Sequence, residues 1–227
     1  MVNVLVLLLI GGYFAADLRL RRTDAVEFHA RKPTPGLGQD WLLAGFERTP
    51  HGDRLARLRL LHLSPGGRPP LLIDLPPHAH APGRIPGTLA SAYARGGAAG
   101  LVAEVEQATG ISVERYAGVN LDELGGAGAA GLARPDASAL ARLAFRAIPA
   151  VTLDEADHLH HLVRLGAALA GLNGPVLRVG VPIVRSAELP GAGEAVIWDA
   201  AKMRDLAVAV SLGRPLPAGL VVARSRP

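Results

Sequence analysis

The sequence predicts an α/β fold, a sheet covered on both faces by helices. From Trp41 onward, short apolar runs of strand length alternate with longer segments of helical spacing. Pro- and Gly-rich turn chemistry separates the runs. Hydrophobic residues make up 49% of the chain and charged residues 19%, which excludes disorder and gives 227 residues the material for one well-packed core.

The elements follow in order. Residues 41–46 (WLLAGF) are a short apolar run ending at a turn, as in a buried parallel strand. Residues 58–63 and 71–75 flank Ser64-Pro65-Gly66-Gly67 and read as neighbouring antiparallel strands. Residues 76–88 carry too many prolines for a helix or a central strand and read as a loop. A helix is predicted over 89–109, with Leu101, Val102 and Val105 on one face, a break at Gly96-Gly97 and a stop at Gly110. A strand follows near 115–121, then a loose Gly/Ala stretch over 125–134 and a helix over 137–147. Thr152-Leu153-Asp154-Glu155 has the pattern of a capping box and predicts a helix running to about residue 170. Strands over 176–182 and 194–198 and a final helix over 200–211 complete the reading.

Residues 2–16 (VNVLVLLLIGGYFAA) carry no charge. As a helix they reach about 22 Å, short of the ~30 Å hydrocarbon core, so residues 1–16 read as a marginal membrane anchor or a signal-like segment. A buried N-terminal strand is the alternative. Arg19, Arg21 and Arg22 follow the segment, which by the positive-inside tendency alone favours a cytoplasmic domain; an anchor whose upstream residues are missing is the reading preferred. Residues 17–40 form a connector and 41–227 the folded domain. The formal net charge of +4 suits an anionic phosphate or membrane surface and selects neither. The absence of cysteine excludes disulfides and thiolate metal sites.

Several constellations invite a chemical reading. Gly126-x-Gly128-x-x-Gly131 matches the dinucleotide fingerprint as a string, but four residues separate it from the preceding strand, and a loop is the better account. Asp154/His158 and Asp157/His161 are spaced i, i+4, with His160 between, as a metal site on a helix requires; first-turn acids and solvated histidines explain the same residues. His78 and His80 stand two apart in the Pro-rich loop. Arg57 and Arg59 alternate with Leu58 and Leu60 and read as the solvated face of a strand. There is no nucleophile elbow, Walker loop or HExxH pair, and no polar reader that would make nucleic acid a partner.

Residues 41–124 resemble the LytR-CpsA-Psr family. The resemblance rests on LLAG (42–45), LLHL (60–63) and, above all, SAYARGGAAGLVAEVEQATGISVERYAGVNLDEL (91–124), supported by TPGLGQDWLLAG (34–45) and VGVPIVRSAELPGAGEAVIWDAAKMRDL (179–206). It implies a three-layer α-β-α sandwich around a mixed central sheet. It also implies a membrane-anchored, extracytoplasmic protein that transfers glycopolymers from polyprenyl-pyrophosphate carriers onto peptidoglycan with the help of magnesium.

The charged motifs depart from that pattern. The family's Gly-Ser-Asp-Ser-Arg is Gly45-Phe46-Glu47-Arg48-Thr49 here. Arg-x-Asp keeps Arg54 but has Ala56 at the acidic position; Pro-Arg-Asp becomes Pro76-Pro77-His78; Lys-x-Asn becomes Thr88-Leu89-Ala90. The resemblance therefore leaves Arg54, Glu47 and Arg48 as remnant catalytic candidates, Arg54 and Arg48 as phosphate ligands, and no metal site or cofactor. The function expected is that of a catalytically degenerate relative that binds a polyprenyl-phosphate-linked glycopolymer at the cell membrane, in an apolar cavity beside Arg54, or assists a paralogous transferase. An active, divergent transferase using Glu47 and His78 is the alternative, and a DNA-binding regulator is the alternative of another class.

Overall fold

The computed structural model describes residues 21–23, 38–64, 68–80, 87–122, 151–154, 160–161, 176–189, 193–217, 220 and 222–225. The expected anchor, the Gly126–Gly131 string, the helix over 137–147 and Asp157 and His158 lie outside them.

Eleven strands fall into two sheets among the described residues: β1 (Arg21–Thr23), β2 (Gln39–Thr49), β3 (Gly52–Leu63), β4 (Leu71–Asp74), β5 (Ala79–His80), β6 (Arg115–Asn120), β7 (Val151–Asp154), β8 (Val176–Gly180), β9 (Ile183–Leu189), β10 (Gly193–Trp198) and β11 (Val222–Ser225). The main sheet has the order β1-β7-β6-β2-β3-β4-β8-β11, and a smaller one has β5-β10-β9. The main sheet is mixed. β2 runs antiparallel to β3 and parallel to β6, β3 and β4 are antiparallel, and β4 and β8 are parallel.

Helix α1 (Leu89–Thr109) begins at a capping box: Thr88 Oγ1 accepts from the Ser91 amide and Ser91 Oγ accepts from that of Thr88. It bends at Gly97, whose φ of 60° and ψ of −148° suit glycine alone, and ends at Gly110 in the left-handed region. Helix α2 (Ala200–Ser211) starts at Asp199, whose carboxylate accepts from the amides of Ala201 and Lys202. Met203, Leu206, Ala207 and Val210 form its buried stripe.

Both helices pack on one face of the main sheet, where Leu42, Leu60, Ile73, Leu101, Val105 and Leu206 are fully buried. The opposite face is apolar too. Trp41, Leu61 and Leu72 stand in register across β2, β3 and β4 and are buried, and the Arg115 guanidinium lies 5.7 Å from the Trp41 ring centroid. Burial on both faces is what the apolar runs of the sequence require, and the α/β reading holds.

Three expectations need correction. Residues 151–154 form β7, pairing in parallel with β1, so the Thr152 capping box does not start a helix there. Leu153 is fully buried between strand neighbours, and this packing outweighs a local cap signal. Asp154 ends that strand, and His158 lies outside the described residues. Arg21–Thr23, inside the stretch read as connector, are part of the sheet. Arg59 is not a solvated strand residue. Its side chain is only 13% exposed, its Nε donates to Asp74 Oδ1 at 2.8 Å, and Arg178 Nη2 donates to Asp74 Oδ2 at 2.8 Å. Burial holds the Arg59 pKa below the ordinary value, with Asp74 opposing the shift. β9 and β11 are strands the sequence reading did not contain.

Candidate functional site

The two-residue turn Pro50-His51 closes the β2–β3 hairpin, with Thr49 opposite Gly52, whose φ is 115°. That turn sets the register of every charged residue beyond it: Arg48 faces Asp53 and Glu47 faces Arg54. Further in, Gly45 pairs with Arg57 and Phe46 with Leu55, leaving Ala56 as the bulged residue.

Arg54 Nη2 donates to Glu47 Oε2 at 2.5 Å, both groups largely in water at 67% and 40% exposure. Arg48 Nε lies 3.9 Å from Asp53 Oδ1, and its amide donates to Asp122 Oδ2 at 2.6 Å. Asp122 is placed by the end of β6, where the Leu121 amide donates to the Phe46 carbonyl and the Asp122 amide to Asn120 Oδ1.

Tyr93, on the second turn of α1, stacks on Phe46 with ring centroids 4.6 Å apart. Burial raises the Tyr93 hydroxyl pKa, and the nearby Asp53 carboxylate raises it further. The loop before α1 meets the same helix end, because the Ala90 amide donates to the Pro77 carbonyl at 2.8 Å. His78 is exposed, and its carbonyl accepts from the Val196 amide of β10. His80 sits in β5, its Nδ1 donating to the Gly87 carbonyl. His160 and His161 stack on each other with centroids 3.9 Å apart. So the fold gathers Glu47, Arg48 and Arg54 at one hairpin and adds Asp53, Asp122 and Tyr93.

The acidic groups at this end of the sheet each have a basic or amide neighbour. The Glu47 carboxylate is bonded to Arg54, that of Asp122 to the Arg48 amide, and Asp53 lies beside Arg48. Among the described residues no three acidic or histidine side chains converge to hold a metal.

No protein-family model matches the sequence, and no curated protein does. Solved structures match over most of the chain. A LytR-Csp2A-Psr enzyme from Actinomyces oris is 16% identical and superposes with a TM-score of 0.59 over 85% of this chain and 96% of its own. The fold is that of the LytR-CpsA-Psr proteins. A Bacillus subtilis structure described as the transcriptional regulator yvhJ gives a TM-score of 0.60 at 16% identity, covering 80% of this chain and 100% of that one. YwtF (TagT), solved with bound octaprenyl pyrophosphate lipid, gives 0.56 at 16% identity over 84% and 96%.

Several of the residues set against family motifs in the sequence lie near one another in this structure. Pro77 is bonded to Ala90, Tyr93 stacks on Phe46, and Ala56 is the bulge opposite the Gly45–Phe46 step. Leu42, Leu60, Ile73 and Leu101 are buried between the sheet and the two helices. A cavity of about 350 Å³ touching His62 lies at the far end of β3 from Arg54, not beside it. No described helix is long and apolar enough to cross a membrane.

Tyr93, Asp53 and Asp122 were not singled out from the sequence. The signal for Asp53 was present: a two-residue turn at Pro50-His51 forces the Arg48–Asp53 and Glu47–Arg54 pairs. Tyr93 lies inside the longest matching run. Asp122 depends on a contact 74 residues apart, for which no local signal exists.

Proposed function

We propose that this chain is a cell-envelope protein on the LytR-CpsA-Psr fold that binds a polyprenyl-phosphate-linked glycopolymer outside the cytoplasmic membrane and has lost most of the transfer chemistry. One observation carries the reading: at the hairpin end the Arg54 guanidinium survives, while Ala56, Pro77 and His78 stand where charged partners are expected. Removing one preorganised charge from such a site costs about 10²–10³ in rate, and the losses here are several. Arg54 and Arg48 still offer cations to a phosphate. The octaprenyl pyrophosphate bound by a protein of the same fold supports the ligand class. Residues 1–16 would tether the domain, and a paralogous transferase is the partner that such a binder would serve.

The test is a binding titration of the full chain in detergent with a polyprenyl phosphate, beside an assay of magnesium-dependent pyrophosphate cleavage. Saturable binding, weakened by Arg54→Ala and accompanied by no turnover, is expected. Turnover abolished by Arg54→Ala would establish an active transferase instead. Salt-dependent binding of duplex DNA with no lipid binding would move the protein to a regulatory class.

A further inference from the structure

The cavity of about 350 Å³ at the far end of β3 contains none of the charged candidates of the hairpin site. Its size falls in the range of small-molecule sites. Eight residues of extended strand separate His62 from Arg54, roughly 27 Å at ~3.4 Å per residue, so it is distinct from the hairpin site.

Its lining divides by chemistry. Leu71 of β4, Leu177 of β8, Val210 of α2 and Leu216 supply an apolar wall. Arg68, Arg214, His62 and Ser64 supply the polar part, and no acidic side chain among the described residues lines it. Arg68 is fastened in place, since its Nη1 donates to the Gly213 carbonyl. That contact requires Gly213: a Cβ there would lie 2.8 Å from Arg68 Nη1, and the backbone φ is +59°. One nitrogen is thus spent on positioning, and the guanidinium has other N–H donors. His62 is fixed by the bond between its Nδ1 and Asp40 Oδ1 at 2.9 Å, and Asp40 is not part of the lining.

A helix C-terminus ordinarily repels an anion. Here three carbonyls in the last turn of α2 are already engaged. Those of Val208, Ala209 and Val210 accept from the amides of Leu212, Arg214 and Gly213. Arg68 covers the carbonyl of Gly213. What remains is a cationic rim over an apolar floor.

We propose that this cavity is a second ligand site, taking a small amphiphile with an anionic carboxylate or phosphate head on an apolar body. The head lies between Arg68 and Arg214, and the body lies against Leu71, Leu177 and Leu216. The site does not depend on the function proposed for the hairpin end.

The experiment is a ¹H–¹⁵N NMR titration of the full chain with octyl phosphate, octanoate, octanol and inorganic phosphate, read at the amides of residues 209–216. Octyl phosphate, octanoate or both should shift these amides saturably, and the tighter of the two identifies the head group. Octanol and inorganic phosphate should bind at least about tenfold more weakly. Arg214→Glu, an exposed change that leaves packing intact, should weaken the anionic amphiphile by about tenfold or more. Leu216→Trp should fill the floor and remove binding. No saturable shift at residues 209–216, equal binding of octanol, equal binding of inorganic phosphate, or indifference to Arg214→Glu would each overturn the site.

Discussion

Arg54 and Glu47 face one another across the β2–β3 hairpin, and the Arg54 guanidinium donates to the Glu47 carboxylate at 2.5 Å. The strand register places them there, and nothing else in the hairpin competes for either group. A pair this exposed contributes no more than about 1 kcal/mol to stability, because water and salt screen it and two long side chains must be ordered to make it. Under the function proposed above, it is a latch that a phosphate opens.

Glu47→Gln should therefore leave the thermal midpoint within about 2 °C of the parent, in line with a loss under 1 kcal/mol. It should also tighten binding of a polyprenyl phosphate by freeing Arg54. Arg54→Ala should weaken that binding by about tenfold or more with an equally small effect on the midpoint. Titrating the two variants side by side checks both, and a Glu47→Gln chain that binds more weakly than the parent contradicts the latch.

How much of this was legible in the sequence depends on the range of the interaction. α1, its break at Gly97 and its stop at Gly110 are local events, and the sequence contains their cause. The β3–β4 pairing was legible because turn chemistry sits between two apolar runs. β7 was not: a four-residue segment with a helix-cap pattern became a strand through pairing with β1 and β6, over 100 and 30 residues away, and such pairing leaves no local trace. At the site, the family resemblance located Arg54, Glu47 and Arg48, but only register pairs them, and Asp122 reaches Arg48 across β6. Arg59 looked solvated because alternation says which face a residue takes, not what covers that face.

Gly97 and Gly118 are predicted to resist alanine for different reasons. At Gly97 there is open space, but the φ of 60° and ψ of −148° are strained for any side chain, a cost of about 1–3 kcal/mol. At Gly118 a Cβ would stand 2.8 Å from Tyr116 Oη and 3.0 Å from Phe46 Cε2. Relieving that overlap costs about 1–3 kcal/mol and moves Phe46 against Tyr93. Urea unfolding should show both losses. A change in Tyr93 fluorescence should appear with Gly118→Ala alone.

Asp199 offers a pH test at the start of α2. The amides of Lys202 and Ala201 bond its carboxylate and hold its pKa below the ordinary 3.8. A depressed acid contributes stability that is present above the ordinary value and is lost as pH falls through the depressed one. Asp199→Ala should lower the thermal midpoint at pH 7 and narrow the difference from the parent as the medium is acidified below the ordinary value. Asp199→Asn keeps a capping oxygen and should lie between them at pH 7. Thermal scans by circular dichroism from pH 7 downward decide it, and a constant gap between Asp199→Ala and the parent contradicts the capping account.

Glu114 runs the other way. Burial raises its pKa above the ordinary 4.5, the Asp40 carboxylate adds to the rise, and an amide bond from Asp40 with the Arg115 and His62 charges opposes it. Its Oε2 is buried with no hydrogen-bond partner among the described residues. The native state therefore takes up a proton more readily than the unfolded chain does. Ionised Glu114 costs stability at neutral pH, and the cost is removed as pH falls through the raised folded value toward the ordinary one. Glu114→Gln removes the charge and keeps the shape, so it should unfold at a higher urea concentration than the parent at pH 7. That advantage should shrink steadily and be gone below about pH 4, where both states of the parent carry the proton. Urea midpoints measured every half unit between pH 8 and pH 4 give the curve. An advantage of the same size at both ends would mean that packing, and not the buried charge, sets the difference.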